Sequence, residues 1–147
     1  MEDFVNFEIA KKLKEKGFSC KYPFAMYDED GVFYPLFTSC DEDEDSKCIF
    51  GNRMYYDYDD FLKDEDARIA PTISQVMKWL REECGIFILV EPDILSPEYK
   101  LTFTLRVKFY IKGEEDEGFS ERYLTYRRDS YELAALAGIE YVLDNLI

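Results

Sequence analysis

The sequence lacks histidine altogether, and its 147 residues include one tryptophan, seven glycines and five prolines. Without histidine there is no side chain that ordinarily titrates near neutral pH and no imidazole ligand for zinc. The four cysteines form no Cys-x-x-Cys pair, so a zinc site would need scattered thiolates to converge. We therefore expect no bound metal, no cofactor and reduced structural cysteines.

Long hydrophobic runs are also missing. No apolar stretch approaches the roughly 20 residues that cross a bilayer, and the first residues are acidic where a signal peptide would be basic. The sequence has no Gly-x-Ser-x-Gly motif and no phosphate-binding glycine loop. These absences favour a soluble, cytoplasmic protein and leave no recognisable catalytic motif, so we expect that it is not an enzyme.

What the sequence has in excess is aromatic residues and acid. Twelve tyrosines and twelve phenylalanines within a 47% hydrophobic composition predict a packed core, and the net charge is −14. Residues 23–67 carry fourteen acidic and three basic side chains, whereas residues 68–112 carry five acidic and seven basic ones. Because so acidic a chain repels phosphate and anionic lipid, we expect no direct nucleic-acid binding and no membrane binding. A basic protein partner remains compatible with the charge.

Periodicity and capping signals predict three helices. The first begins near Asp3 or Asn6 and ends at Gly17, with a Schellman motif that brings Phe18 back onto Leu13. The second is capped by Thr72 and Gln75 and ends at Gly85. The third runs from Asp129 or Ser130 to Leu146. Each helix is expected to bury an apolar face.

Strand signals lie between these helices. Residues 22–27 and 32–37 predict a hairpin in which Pro23 and Pro35 suit edge positions. Residues 86–91 form an apolar run typical of a strand covered on both faces, and residues 99–112 and 119–127 predict an antiparallel pair. Residues 38–69 have no clean period and are expected to be mostly loop, with Cys48, Ile49 and Phe50 as a candidate short strand.

Together these signals predict one α+β domain over residues 1–147. Three helices pack on an antiparallel sheet in the order α-ββ-α-βββ-α, with an acidic, partly irregular segment at residues 23–67.

Three blocks of the sequence carry a resemblance. They are residues 4–18 (FVNFEIAKKLKEKGF), 70–83 (APTISQVMKWLREE) and 131–147 (YELAALAGIEYVLDNLI). They resemble small proteins of Bacteroidales-type phages and mobile elements for which no activity is established. The resemblance implies a setting in the cytoplasm of a bacterial host, and it implies no chemistry.

Two patterns suggest metal chemistry without completing it. Asp93, Glu98 and Lys100 have the residue types of a metal-dependent nuclease, but only four residues separate the carboxylates. Asp41, Asp43 and Asp45 have the first spacings of a calcium loop, but Ser46 stands where that loop needs glycine, and Asn52 where it needs glutamate. A polar loop and a solvated acidic loop are the simpler interpretations, with weak calcium association as an alternative for the second.

The function favoured by the sequence is protein interaction. An acidic, tyrosine-rich face would bind a basic host protein and compete with nucleic acid for its groove, by analogy with phage inhibitors of host defence. The alternatives are a solubilising loop and a divalent-metal-dependent enzyme built from clustered carboxylates. Trp79 is either a residue at the boundary of the core or an exposed anchor. The predicted surface comprises Asp41, Asp43, Asp45, Tyr55, Tyr56, Asp57, Tyr58, Asp59, Asp60 and Trp79.

Overall fold

A computed structural model describes residues 3–20, 23–38, 48–51, 53–55, 58–92, 104–113, 119–127 and 130–147. Helices and antiparallel strands occur together, so the predicted α+β class is confirmed. The chain divides into two compact units, Met1–Thr72 and Ile73–Ile147. That the whole chain is a single domain stays a prediction.

The first unit begins with helix α1 (Phe7–Glu15), whose ends follow from the sequence. The side chain of Asn6 caps the helix by accepting a hydrogen bond from the N–H of Ile9 at 2.9 Å. Gly17 adopts a positive φ of 80°, and the N–H of Phe18 donates to the carbonyl of Leu13 at 2.9 Å. The predicted Schellman motif is therefore confirmed.

A five-stranded antiparallel sheet forms most of the first unit. Its strands are β1 (Ala25–Tyr27), β2 (Phe33–Thr38), β3 (Cys48–Phe50), β4 (Arg53–Tyr55) and β5 (Arg68–Ile69), in the spatial order β4-β3-β2-β1-β5. The predicted hairpin is β1 and β2. The predicted edge position of Pro35 is wrong, because β2 lies between β1 and β3; the β2–β3 pairing starts at Leu36, after the proline.

The prediction that residues 38–69 are mostly loop is also wrong for the part that the structure describes. The expected short strand at Cys48–Phe50 is present as β3, and β4, helix α2 (Tyr58–Lys63) and β5 follow it. Aromatic packing explains this order: the ring of Phe61 lies 4.7 Å from that of Phe50 and 5.1 Å from that of Tyr55. Elements this short leave no period in a sequence, so burial of the three rings fixes them instead.

The second unit is a three-stranded antiparallel sheet with two helices. The strands β6 (Ile86–Pro92), β7 (Thr104–Lys112) and β8 (Phe119–Arg127) lie in that order, and helices α3 (Ile73–Glu83) and α4 (Tyr131–Asn145) pack with them. Ser130 caps α4 by accepting from the N–H of Leu133, and Gly85 has the predicted positive φ. The buried face of α4 includes Ala134, Gly138 and Val142.

Strand β6 is not covered on both faces, contrary to the prediction. Ile86 and Ile88 are buried, whereas Phe87 and Leu89 are 39% and 45% exposed. The alternation arises because α4 lies against one face of the sheet, where the Phe109 ring contacts that of Tyr141 at 5.4 Å. The unbroken apolar run of β6 therefore forms a strand with one buried face and one exposed face.

Candidate functional site

The acidic surface predicted from the sequence lies in the described residues only in part. Asp59 and Asp60 are exposed on α2, and Glu65 and Asp66 are exposed in the turn that follows it. Asp41, Asp43, Asp45, Tyr56 and Asp57 lie outside the described residues. Tyr58 begins α2, and only its backbone is described. We call the four carboxylates of Asp59, Asp60, Glu65 and Asp66 the α2 acidic surface.

Tyr55 does not contribute an aromatic ring to this surface, because its side chain is only 8% exposed. Its ring packs edge-on against Phe50 and Phe61, and its hydroxyl donates a 2.7 Å hydrogen bond to the Asp64 carboxylate. This bond is the largest cause that holds the pKa of Asp64 below its ordinary value. Burial, followed by the Asp64 bond, raises the pKa of Tyr55 to about 12.

A second carboxylate, Asp28, occupies the turn between β1 and β2 and is 5% exposed. Its Oδ1 accepts backbone hydrogen bonds from Asp30 and Val32, both at 2.9 Å, and its Oδ2 accepts one from the Tyr34 hydroxyl at 3.3 Å. The bond from Val32 is the largest of several that lower the pKa of Asp28. The carboxylate therefore stays ionised in the turn.

Arg53 connects the two carboxylates. Its guanidinium lies 3.9 Å from Oδ2 of Asp28 and 5.9 Å from the centre of the Tyr34 ring. A hydrogen bond to Tyr55 is the largest cause that raises the pKa of Arg53. The network thus runs from Asp28 through Arg53 and Tyr55 to Asp64, and it joins the β1–β2 turn, β4 and the end of α2.

Lys14 on α1 also holds the turn after α2. Its Nζ donates to the backbone carbonyls of Asp64, Glu65 and Ala67 at 3.0, 3.0 and 2.6 Å. Burial, followed by the charge of Arg68, lowers the pKa of this lysine. These contacts are to backbone carbonyls, and Glu65 and Asp66 are exposed.

A cleft of about 310 Å³ lies beside this turn. Its lining includes Lys14, Phe18, Phe61 and Ile69, and is mostly apolar. All three donors of the Lys14 ammonium already have carbonyl acceptors, so the cleft offers no unused charge to orient a ligand.

The metal patterns of the sequence gain no support from the structure. The described part of the chain has no group of three or more histidine, cysteine, aspartate or glutamate side chains that could hold a metal ion. The calcium-like loop and the positions Asp93, Glu98 and Lys100 lie outside the described residues. Neither Cys20 nor Cys84 forms a disulfide.

Trp79 lies on α3 in the second unit, and its exposure is intermediate. The α2 acidic surface belongs to the first unit, so sequence reasoning had grouped residues from two different units. The intermediate exposure of Trp79 on α3 is typical of a residue at the boundary of a core. No helix among the described residues is long and apolar enough to span a membrane.

Sequence reasoning missed the residues of the polar network, although two signals were present. Arg53 is the only arginine in the first 67 residues and stands within the acidic segment, so its guanidinium was a natural partner for a carboxylate. Asp28 precedes Glu29, Asp30 and Gly31, a turn sequence in which aspartate commonly accepts backbone N–H groups. Neither signal indicated which carboxylate each group would meet.

Comparison with family models, with curated proteins and with solved structures finds no match to this chain.

Proposed function

We propose that this chain is a non-enzymatic protein-interaction module of a phage or mobile element, which binds a basic protein in the cytoplasm of a bacterial host. Binding occurs through the α2 acidic surface. The observation that carries the proposal is the exposure of four carboxylates over eight residues of described chain, where Lys63 is the one basic residue between them. Such a surface repels phosphate, so its partner is a protein and not a nucleic acid or a membrane.

The polar network supports this function by holding the turn after α2, which carries Glu65 and Asp66 of the α2 acidic surface. Asp64 is held inward by Tyr55, and its Oδ1 accepts the N–H of Asp66 at 3.0 Å. The backbone on either side is held by Lys14. A rigid turn costs less conformational entropy on binding than a mobile one, so the carboxylates of Glu65 and Asp66 are presented at low cost.

The test is affinity capture from host lysate, quantified by mass spectrometry, with the wild type and two variants of equal charge. The first variant neutralises the α2 acidic surface, and the second neutralises four exposed carboxylates of the second unit. None of the eight side chains takes part in the observed hydrogen bonds of the polar network, and circular dichroism of both variants verifies folding. The substitutions are Asp59→Asn, Asp60→Asn, Glu65→Gln and Asp66→Asn in the first, and Glu82→Gln, Glu83→Gln, Glu140→Gln and Asp144→Asn in the second.

We expect the wild type and the second variant to capture the same basic protein and the first variant to lose it. Loss with both variants would mean that only net charge matters. Retention by both would mean that the α2 acidic surface is a solubilising feature. No observation in the described residues favours the alternative of a divalent-metal-dependent enzyme.

A further inference from the structure

The three-stranded sheet of the second unit has one covered face and one open face. Ile86, Ile88 and Phe109 are at most 9% exposed and mark the face on which α4 packs. Phe87 and Leu89 are exposed and mark the other. Because side chains alternate along a strand, this distinction assigns every position of β6, β7 and β8 to one of the two faces.

The pairing register shows which positions share the open face. Phe87 on β6 pairs with Tyr110 on β7, so Tyr110 and every second residue of β7 belong to it. Lys108 and Lys112 stand on either side of Tyr110 along that strand. Across the sheet, Lys108 pairs with Tyr123 and Lys112 pairs with Phe119. Each of these two lysine positions therefore faces an aromatic position on β8, about 5 Å away.

The balance of basic and acidic positions on this face differs from that of the chain as a whole. Arg106 and Arg127 also occupy positions on it, whereas its acidic positions are Glu91 and Glu121. By register and sequence, the face therefore has four basic positions and two acidic ones. At physiological salt, charges more than about 8 Å apart are largely screened from each other. A ligand at this face would therefore interact mainly with the charges of the face and little with the acidic residues elsewhere. The expectation of no nucleic-acid binding was drawn from the net charge of the whole chain and did not consider this face by itself.

We infer that the open face of β6, β7 and β8 binds single-stranded nucleic acid, with bases stacked at its aromatic positions and phosphates beside its lysine positions. Alternating aromatic and basic groups are what an unpaired strand requires, because every base has a ring face and every nucleotide a charge. A sheet presents them in rows at strand spacing. An acidic protein would also match the charge, so the test includes an acidic competitor.

The inference can be tested by fluorescence anisotropy with the full chain and a labelled oligothymidylate of about twelve nucleotides. Lys108→Gln with Lys112→Gln removes two charges from the open face. Phe87→Ala removes an exposed ring. Lys78→Gln with Arg81→Gln is the matched control, because both side chains are exposed on α3 of the same unit. Circular dichroism of each variant verifies folding, and a glutamate peptide of similar length serves as competitor.

The wild type should bind, with an affinity that falls as salt rises. The lysine pair should lower the slope of log affinity against log salt by roughly 1.4, since each contact to a single strand contributes about 0.7. Phe87→Ala should weaken binding about tenfold and leave the slope unchanged. The control should behave as the wild type does.

Three results would overturn the inference. They are no binding at about 50 mM salt, equal losses in the control and the lysine pair, and displacement of the oligonucleotide by the glutamate peptide at equal concentration. The last would assign the face to an acidic protein. All these substitutions lie in the second unit, so failure here leaves the proposal for the α2 acidic surface standing.

Discussion

At the scale of single residues, the Tyr55 hydroxyl holds the most informative position in the first unit. It donates to Asp64 at 2.7 Å and accepts from Arg53, while its ring packs on Phe50 and Phe61. One side chain thus joins the aromatic core to the turn that carries Glu65 and Asp66. Tyrosine can take both roles because its ring packs in the core while its phenolic hydroxyl forms hydrogen bonds.

Replacement of Tyr55 by phenylalanine should keep the ring and remove the hydroxyl. We expect a loss of about 1–2 kcal/mol in the free energy of unfolding, because a hydrogen bond to a charged group disappears. Urea unfolding measures this loss. Tyr131→Phe is the control, since that side chain is 49% exposed, and its effect should be close to zero. Equal effects would show that the Tyr55 bond contributes nothing to stability.

The pH dependence of stability provides a separate test of the same hydroxyl. The pKa of Tyr55 is about 12 in the folded chain, above the value of about 10 expected when the chain is unfolded. A raised folded pKa contributes stability that is complete below pH 10 and is lost as the pH rises toward 12. Tyr55→Phe should therefore make the fall in stability between pH 10 and 12 less steep, measured by urea unfolding across that range. An unchanged fall would contradict the assigned pKa.

At the scale of elements, alanine substitutions at two glycines with positive φ distinguish the cost of backbone strain from the cost of a steric clash. Gly17 ends α1 with φ 80° and has open space where a Cβ would stand, whereas a Cβ on Gly51 would lie 2.5 Å from Cδ1 of Tyr34. Gly17→Ala should cost about 1 kcal/mol from the backbone alone. Gly51→Ala should cost about 1–2 kcal/mol more, because Tyr34 must move. The two urea midpoints decide, and equal losses would show that Tyr34 moves freely.

The ends of helices are the elements that the sequence predicts best. Asn6, Gly17, Gly85 and Ser130 act through groups within a few residues of themselves, so their effect is visible in the sequence alone. The strands β3 and β4 and helix α2 are held instead by contacts between different elements, among the rings of Phe50, Tyr55 and Phe61 and from Tyr55 to Asp64. The polar network was missed because it joins separate elements, as Arg53 on β4 meets Asp28 in the β1–β2 turn. The Lys14 contacts were missed because their carbonyls lie 50 or more residues away along the chain. The charge of the α2 acidic surface was predictable, and the burial of Tyr55 was not.

At the scale of the whole molecule, the prediction of a single domain can be tested by comparing two probes of unfolding. Trp79 is the only tryptophan and belongs to the second unit, so its fluorescence reports that unit. Far-ultraviolet circular dichroism reports helices in both units. A single cooperative domain requires the two thermal transitions to coincide. Distinct midpoints would show that the units unfold separately.

Charge is distributed unequally over the same two units. Residues 23–67 have eleven more acidic than basic side chains, whereas the open face of the second sheet has more basic positions than acidic ones. A net charge of −14 therefore describes neither surface. Binding through each of them should depend on salt and on different substitutions, which makes the two proposals independent.

The most direct measurement of the central proposal is the affinity of the captured basic protein for the purified chain, at low and at high salt. For the wild type we expect affinity to fall as salt rises. The variant with the α2 acidic surface neutralised should bind weakly at both salt concentrations, because its charged contacts are absent. An affinity that is the same for wild type and variant, with the same salt dependence, would contradict the proposal that the α2 acidic surface binds the partner.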